Sequence, residues 1–114
     1  MSALNNIFLM IAMTICASSN ANAAWILGIG AESCEDMLAS ISEDRESGNT
    51  LLPVETIYLT WIQGYFSGLN YNFERDKGQG VEPDMQLELV INRCGENPEQ
   101  LIVEAVDNVW EYDI

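Results

Sequence analysis

Apolar side chains recur at helical spacing in the segment that begins near residue 34. The positions i, i+3, i+4 and i+7 of this segment form one apolar stripe, made of Cys34, Met37, Leu38 and Ile41. Ser33 stands immediately before the stripe, where a hydroxyl can cap a helix N-terminus, and Gly48 follows as a C-terminal stop. The pattern predicts a first amphipathic helix with a strongly acidic outer face.

A second, longer helix is predicted from Pro53, a residue that suits the first turn. Its polar positions repeat at steps of four and three and form one narrow stripe, made of Thr56, Thr60, Gln63, Ser67, Asn70 and Glu74. The remaining surface is apolar, which predicts the central helix of the fold. Gly64 and Gly68 lie four residues apart in it, so we expect a neighbouring helix to approach closely there, either from the same chain or from a dimer partner. Trp61 and Tyr71 would close that seam at its two ends.

Two further helices are predicted toward the C-terminus. The third follows Pro83 and ends at Gly95, with an apolar stripe made of Leu87, Val90, Ile91 and Cys94. The fourth has Asn97 as its N-cap and Pro98 in its first position, with a stripe made of Ile102, Ala105, Val106 and Val109. No repeat or second domain interrupts these patterns. The sequence therefore predicts an all-α, single-domain, four-helix fold.

The N-terminal segment has the layout of a signal peptide. Residues 1–31 carry no charged side chain, and an apolar run from Ile7 to Ala17 is followed by a small-x-small site that ends at Ala23. We expect residues 1–23 to be a signal peptide cleaved near Ala23, and residues 24–114 to form a periplasmic or secreted domain. The alternative is an uncleaved membrane anchor, but the run has only about half of the roughly twenty residues that a transmembrane helix needs.

After cleavage the domain would contain two cysteines, Cys34 and Cys94. An even pair in an exported chain favours one disulfide, and two free buried thiols are the alternative. Closing a loop of about 60 residues would stabilise a domain of this size by roughly 4 kcal/mol. We expect no metal site and no cofactor, because the chain has no histidine and no CxxC spacing.

Charge and residue types exclude several functions. There are 18 acidic and four basic side chains, which give a net charge of −14. Such a surface repels nucleic acid and anionic lipid and favours cationic protein partners. Without histidine, and with its cysteines oxidised, the chain lacks the usual catalytic groups, so we expect no enzyme. Trp61, Tyr65 and Trp110 could line a pocket, but aromatic residues at helical spacing are more typical of a core.

Four pieces of the chain resemble the HdeA/HdeB family of small periplasmic acid-stress chaperones. They are "SCEDMLA" at residues 33–39, "LVINRC" at 89–94, "NPEQ" at 97–100 and the C-terminal Trp110. The resemblance implies a helical protein with a Cys34–Cys94 disulfide, a homodimer near neutral pH that opens in acid and binds denatured client proteins. Carboxylates titrate near pH 4, so we expect a change of state between about pH 5 and pH 2.

A second hypothesis is an immunity-type protein that neutralises a secreted toxin. "GYFSG" at residues 64–68 is similar to the "GY-x-x-G" segment of such proteins, and the acidic surface would steer this one onto a basic toxin. Both hypotheses use helix two as a protein-binding or packing surface. That surface is predicted to consist of Trp61, Gly64, Tyr65, Phe66, Gly68 and Leu69. Neither hypothesis involves nucleic acid or stable membrane insertion after cleavage.

Overall fold

The computed structural model describes residues 26–48 and 53–114, and these residues form four α-helices in chain order. A 3₁₀ turn (Gly28–Ala31) precedes the first helix, and a π-helical turn (Val109–Asp113) follows the last. The helices are α1 (Cys34–Ser47), α2 (Val54–Phe73), α3 (Pro83–Glu96) and α4 (Ile102–Asn108). The prediction of an all-α four-helix fold is confirmed. The predicted signal peptide, residues 1–23 with its cleavage site, lies outside the described residues.

Both predicted ends of α1 are confirmed. The Ser33 hydroxyl accepts a hydrogen bond from the backbone N–H of Asp36 at 3.1 Å, which satisfies one of the N–H groups that a helix start leaves without a partner. At the other end, Gly48 takes a left-handed conformation with φ of 63°. Glycine adopts this conformation without the steric cost of a Cβ, so it ends the helix at the predicted position.

The predicted start of helix four is wrong. Residues 97–100 form a turn, and α4 begins only at Ile102. The backbone N–H groups of Cys34 and Glu35, at the start of α1, donate to carbonyl oxygens of residues 100 and 98 at 2.8 and 2.9 Å. Ser33 and Leu101 also form an isolated antiparallel bridge. The turn after α3 therefore precedes α4 and is not part of it, because its carbonyl oxygens satisfy the first N–H groups of α1.

The central helix is α3, which packs against α1, α2 and α4. The expectation that helix two is central is therefore wrong. Only Tyr58, Ile62 and Phe66 of α2 are buried, because this helix packs on the molecule with one face; side chains beside that face are half-buried and those opposite are exposed. Gly95 does not end α3, which continues to Glu96. None of the described helices is long and apolar enough to cross a membrane.

The predicted disulfide between Cys34 and Cys94 is confirmed. It joins the first residue of α1 to the last turn of α3, with 5.0 Å between the two Cα atoms. Both residues are fully buried and belong to the core. The largest other side chains buried completely in this core are Met37, Ile62, Val90, Ile102, Val106 and Val109. The disulfide thus reinforces a core to which all four helices contribute.

Candidate protein-binding surface

The surface predicted on helix two is divided in the structure. Phe66 is only 4 % exposed and belongs to the core. Three other residues of the set are half-buried and pack against the core: Trp61, Tyr65 and Leu69. Gly64 and Gly68 are exposed. In this state α2 therefore presents the two glycines beside the half-buried Trp61, Tyr65 and Leu69, whereas the Phe66 ring is not available to a partner.

No described segment of the chain packs against the two glycines of α2. A Cβ atom built at Gly64 or at Gly68 would meet no described atom within 4 Å. The predicted seam is therefore not formed with another described helix of the same chain. The other possibility, a partner copy in a homodimer, stays a prediction.

Gly30, in the 3₁₀ turn, is the glycine that a neighbouring side chain approaches closely. The Trp61 indole covers it, and a Cβ at this position would overlap ring atoms of Trp61 and approach Ile26 at 3.0 Å. The indole is itself held by stacking on Tyr65, with 5.0 Å between the ring centroids. Trp61 therefore ties the start of the domain to α2, a contact that helical periodicity did not predict.

The same substitution should thus have opposite effects at these glycines. Gly30→Ala is expected to lower the free energy of unfolding by about 1–3 kcal/mol, because the added methyl group overpacks against Trp61. Gly68→Ala is expected to raise it by up to about 1 kcal/mol, because alanine favours a helix and meets nothing. Urea unfolding of both variants at low protein concentration would measure this. Destabilisation by Gly68→Ala that grows with concentration would instead indicate a partner copy on this face.

Four of the described polar contacts between the N-terminal two thirds of α2 and the rest of the chain use a carboxylate. The Val54 N–H donates to Asp44 Oδ2 at 3.2 Å, and Glu55 pairs with Arg45. Farther along the helix, two tyrosine hydroxyls donate to acidic side chains. The Tyr58 hydroxyl donates to Glu32 Oε2 at 3.1 Å, and the Tyr65 hydroxyl donates to Asp107 Oδ1 at 2.8 Å.

Arg45 of α1 joins three helices. Its guanidinium bonds Glu55 of α2 and, at 2.8 Å, Glu88 of α3. These hydrogen bonds raise the pKa of Arg45, first through Glu55 and then through Glu88. Because all three side chains are partly exposed, the pairing is screened and contributes modestly to stability. Its importance here lies in its position between helices.

A second arginine ties the C-terminal turn to α3. Arg93 donates to both carboxylate oxygens of Asp113, at 2.9 and 2.7 Å. These hydrogen bonds lower the pKa of Asp113. Burial, together with the hydrogen bond to Asp107, raises the pKa of Tyr65 to about 12, so this phenol stays a neutral donor in ordinary conditions. The Arg93–Asp113 tie thus depends on an ionised carboxylate.

At its C-terminal end, α2 is held by an amide. Asn70 Nδ2 donates to the Lys77 carbonyl at 3.0 Å, and Asn70 Oδ1 accepts from the Lys77 N–H at 3.2 Å. The same oxygen accepts from Trp110 Nε1 at 2.9 Å. Sequence reasoning placed Asn70 only in a polar stripe and missed this role. No local signal reveals it, because its partners come from a loop and from the C-terminal turn.

The described residues contain no group of three or more acidic or cysteine side chains placed to hold a metal ion. The polar groups described above hold helices together, and nothing in their geometry marks a nucleophile with its base. Comparison of the chain with protein-family models, with curated proteins and with solved structures gives no match.

Proposed function

We propose that this chain is an exported protein-binding domain of the HdeA/HdeB type, which holds denaturing proteins when the surroundings become acidic. One observation carries the proposal: the N-terminal two thirds of α2 are tied to their neighbours through four carboxylates, those of Glu32, Asp44, Glu55 and Asp107. Hydrogen bonds to ionised carboxylates are stronger than those between neutral groups. The proposal is that acid weakens the attachment of α2, the helix that carries Phe66, Trp61 and Tyr65.

Release of this helix would supply the surface that a chaperone needs. The buried face of α2 consists of Tyr58, Ile62 and Phe66, and it is covered by the rest of the domain in the closed state. Once exposed, an apolar face of this size binds unfolded protein without sequence preference, because the hydrophobic effect is not directional. The domain would thus bind no denatured protein at neutral pH and would bind it in acid.

The direction of the pH response follows from Asp113. Since Arg93 lowers its folded pKa, the pair contributes stability in full above about pH 4, the ordinary value for an aspartate. That contribution is lost as the pH falls through the lower folded value. The absence of histidine leaves carboxylates as the groups that titrate between pH 2 and pH 7. The transition therefore belongs below about pH 5.

The test measures both the opening of the domain and its ability to keep a denatured protein from aggregating. The domain is mixed with an unrelated acid-denatured protein, and light scattering is followed at pH 2–3 and at pH 7, beside tryptophan fluorescence of the domain alone. We expect suppression of aggregation only where the fluorescence has changed. Opening without suppression would mean ordinary acid denaturation and would contradict the proposal, as would a spectrum and an oligomeric state unchanged at pH 2.

A pair of variants tests whether the Arg93–Asp113 ion pair contributes to the pH at which the domain opens. Asp113→Asn removes the carboxylate that Arg93 bonds through two nitrogens and leaves Arg93 only its longer pairing with Glu96, so this variant should open and become active at a higher pH than the original protein. The difference should shrink as the pH falls through the lowered pKa of Asp113 in the original protein. Asp76→Asn, the same change at an exposed loop carboxylate, is the control and should leave the opening pH unchanged. Equal shifts for both variants would indicate a general charge effect.

The charge of the chain supports a second candidate, an immunity-type protein that binds a basic toxin at neutral pH. A net charge of −14 accelerates association with a cationic partner and makes the association rate fall with ionic strength. Tight, salt-dependent binding of one basic protein at pH 7, without suppression of aggregation in acid, would favour this candidate over the chaperone.

A further inference from the structure

A groove of about 480 Å³ lies between the C-terminal end of α2 and the π-helical turn. Its apolar lining consists of Leu69, Phe73, Trp110 and Tyr112. Phe73 is 56 % exposed and Tyr112 is 72 % exposed, so two large aromatic side chains face solvent beside a cavity. This size and this lining are typical of grooves that bind small ligands or single side chains of a partner.

The walls of the groove are held in place before any ligand arrives. The Trp110 ring lies 5.7 Å from the Phe73 ring, and its Nε1 donates to the Asn70 side chain. Lys77 Nζ donates to the Trp110 carbonyl at 2.8 Å and lies 4.7 Å from the centre of its ring. The wall formed by Trp110 and Phe73 is therefore in place in advance, which limits the conformational freedom lost there when a ligand binds.

Arg75, which also lines the groove, differs from the other basic side chains of the domain. Arg45 and Arg93 each bond carboxylates, and Lys77 bonds two carbonyl oxygens. Within the described part of the chain, the Arg75 guanidinium has neither an ion-pair nor a hydrogen-bond partner. It therefore keeps its full set of donors for a ligand.

The acidic side chains in the groove carry less information. Glu111 and Asp107 line the groove as well; the Glu111 carboxylate bonds no described side chain, and the Asp107 carboxylate accepts from the Tyr65 hydroxyl. With 18 acidic and four basic side chains, however, most carboxylates of this chain must lack a cationic partner. An arginine left without one is the exception, so Arg75 decides the sign of the ligand.

We propose that this groove binds an apolar carboxylate. The ligand's carboxylate accepts hydrogen bonds from the forked guanidinium of Arg75, and its apolar body packs against Phe73 and Tyr112. Two sources share this chemistry: a free acid with an aromatic or aliphatic body, and the C-terminal residue of a peptide. The site does not require release of α2, so it is independent of the acid response proposed above.

Calorimetric titration at pH 7 with matched probes tests the proposal. Two probes share one body and differ in charge, 3-phenylpropionate and 3-phenylpropylamine, and two others are a short peptide ending in phenylalanine with a free or an amidated C-terminus. About 0.15 M salt screens the negative surface, because the Debye length is then about 8 Å. We expect the propionate to bind about tenfold more tightly than the amine, as loss of a charged hydrogen bond predicts.

The peptides then identify the source of the carboxylate. A preference of about tenfold for the free over the amidated peptide assigns the site to chain ends, and binding of the propionate without that preference assigns it to free acids. Either result supports the proposal. Tighter binding of the amine, or no binding of either acid by the folded protein, overturns it.

Variants locate the site. Arg75→Gln should remove the preference for the acid, Arg75→Lys should restore part of it, and Tyr112→Ala should weaken the acid and the amine alike. Met85→Ala is the control, because Met85 is 54 % exposed and does not line this groove. Circular dichroism checks that each variant is folded. Undiminished acid binding by folded Arg75→Gln would contradict the proposal, whatever the outcome of the acid-chaperone test.

Discussion

Replacing Cys34 and Cys94 together by alanine is expected to lower the free energy of unfolding by about 4 kcal/mol. The disulfide closes a loop between residues 60 positions apart, and this restricts the unfolded chain far more than the folded one. Small domains are stable by only about 5–15 kcal/mol, so the loss is a large part of the total. Urea unfolding of the variant beside the oxidised protein measures it.

Reducing agent supplies the control for this experiment. The oxidised protein should become as unstable as the double variant once a reductant is present, whereas the variant itself should not respond. Because both sulfur-bearing residues are fully buried, we also expect reduction to be slow until urea opens the domain. A variant within about 1 kcal/mol of the oxidised protein would refute the chain-entropy account of this disulfide.

The second large effect is expected at Ile62, which is fully buried on the inner face of α2. Ile62→Ala should lower the free energy of unfolding by about 2–5 kcal/mol, because the substitution removes apolar contacts and leaves a cavity. Ile57 lies on the same helix and is 42 % exposed. Ile57→Ala should lower the free energy of unfolding by less than about 1 kcal/mol, so it is the matched control.

Urea unfolding at low protein concentration separates these two isoleucines without interference from association. Equal losses at both positions would contradict the burial described for α2. A loss at Ile57 that appears only at high concentration would have a different meaning, since it would place a partner copy on the exposed face of the helix. The pair of variants therefore tests the packing of the helix that the proposed function requires to move.

Periodic patterns in the sequence predicted much of this fold, and physical chemistry explains where they did so. The stripe that includes Met37 and Ile41 is buried, and the caps at Ser33 and Gly48 are in place, because these features depend on neighbours within one or two turns. The disulfide was predictable from cysteine number and the expected compartment. The start of α4 was not, because its conformation satisfies N–H groups of α1 that are far away in sequence.

The surface features were less predictable for a related reason. Gly64 and Gly68 resemble a packing seam in the sequence, yet only the assembled helices show that no described segment covers them. The groove joins Phe73 and Arg75 to Trp110 and Tyr112, which come from two separate parts of the chain. Periodicity describes one helix at a time and does not show which residues of distant segments come into contact. The sequence contained one weak indication of the groove. Because it has only four basic side chains, each of them was a candidate for a specific contact.

The position of the disulfide determines what would remain connected if the domain opens as proposed. Cys34 and Cys94 enclose α2 within a covalent loop, and Leu101 is paired with Ser33, just before α1. An α2 released in the proposed way would therefore stay tethered at both ends to a body that is still cross-linked. Its return is an intramolecular event with a high effective concentration, which does not depend on how dilute the protein is. Closure after neutralisation should thus be fast and repeatable, so that one molecule can pass through many cycles.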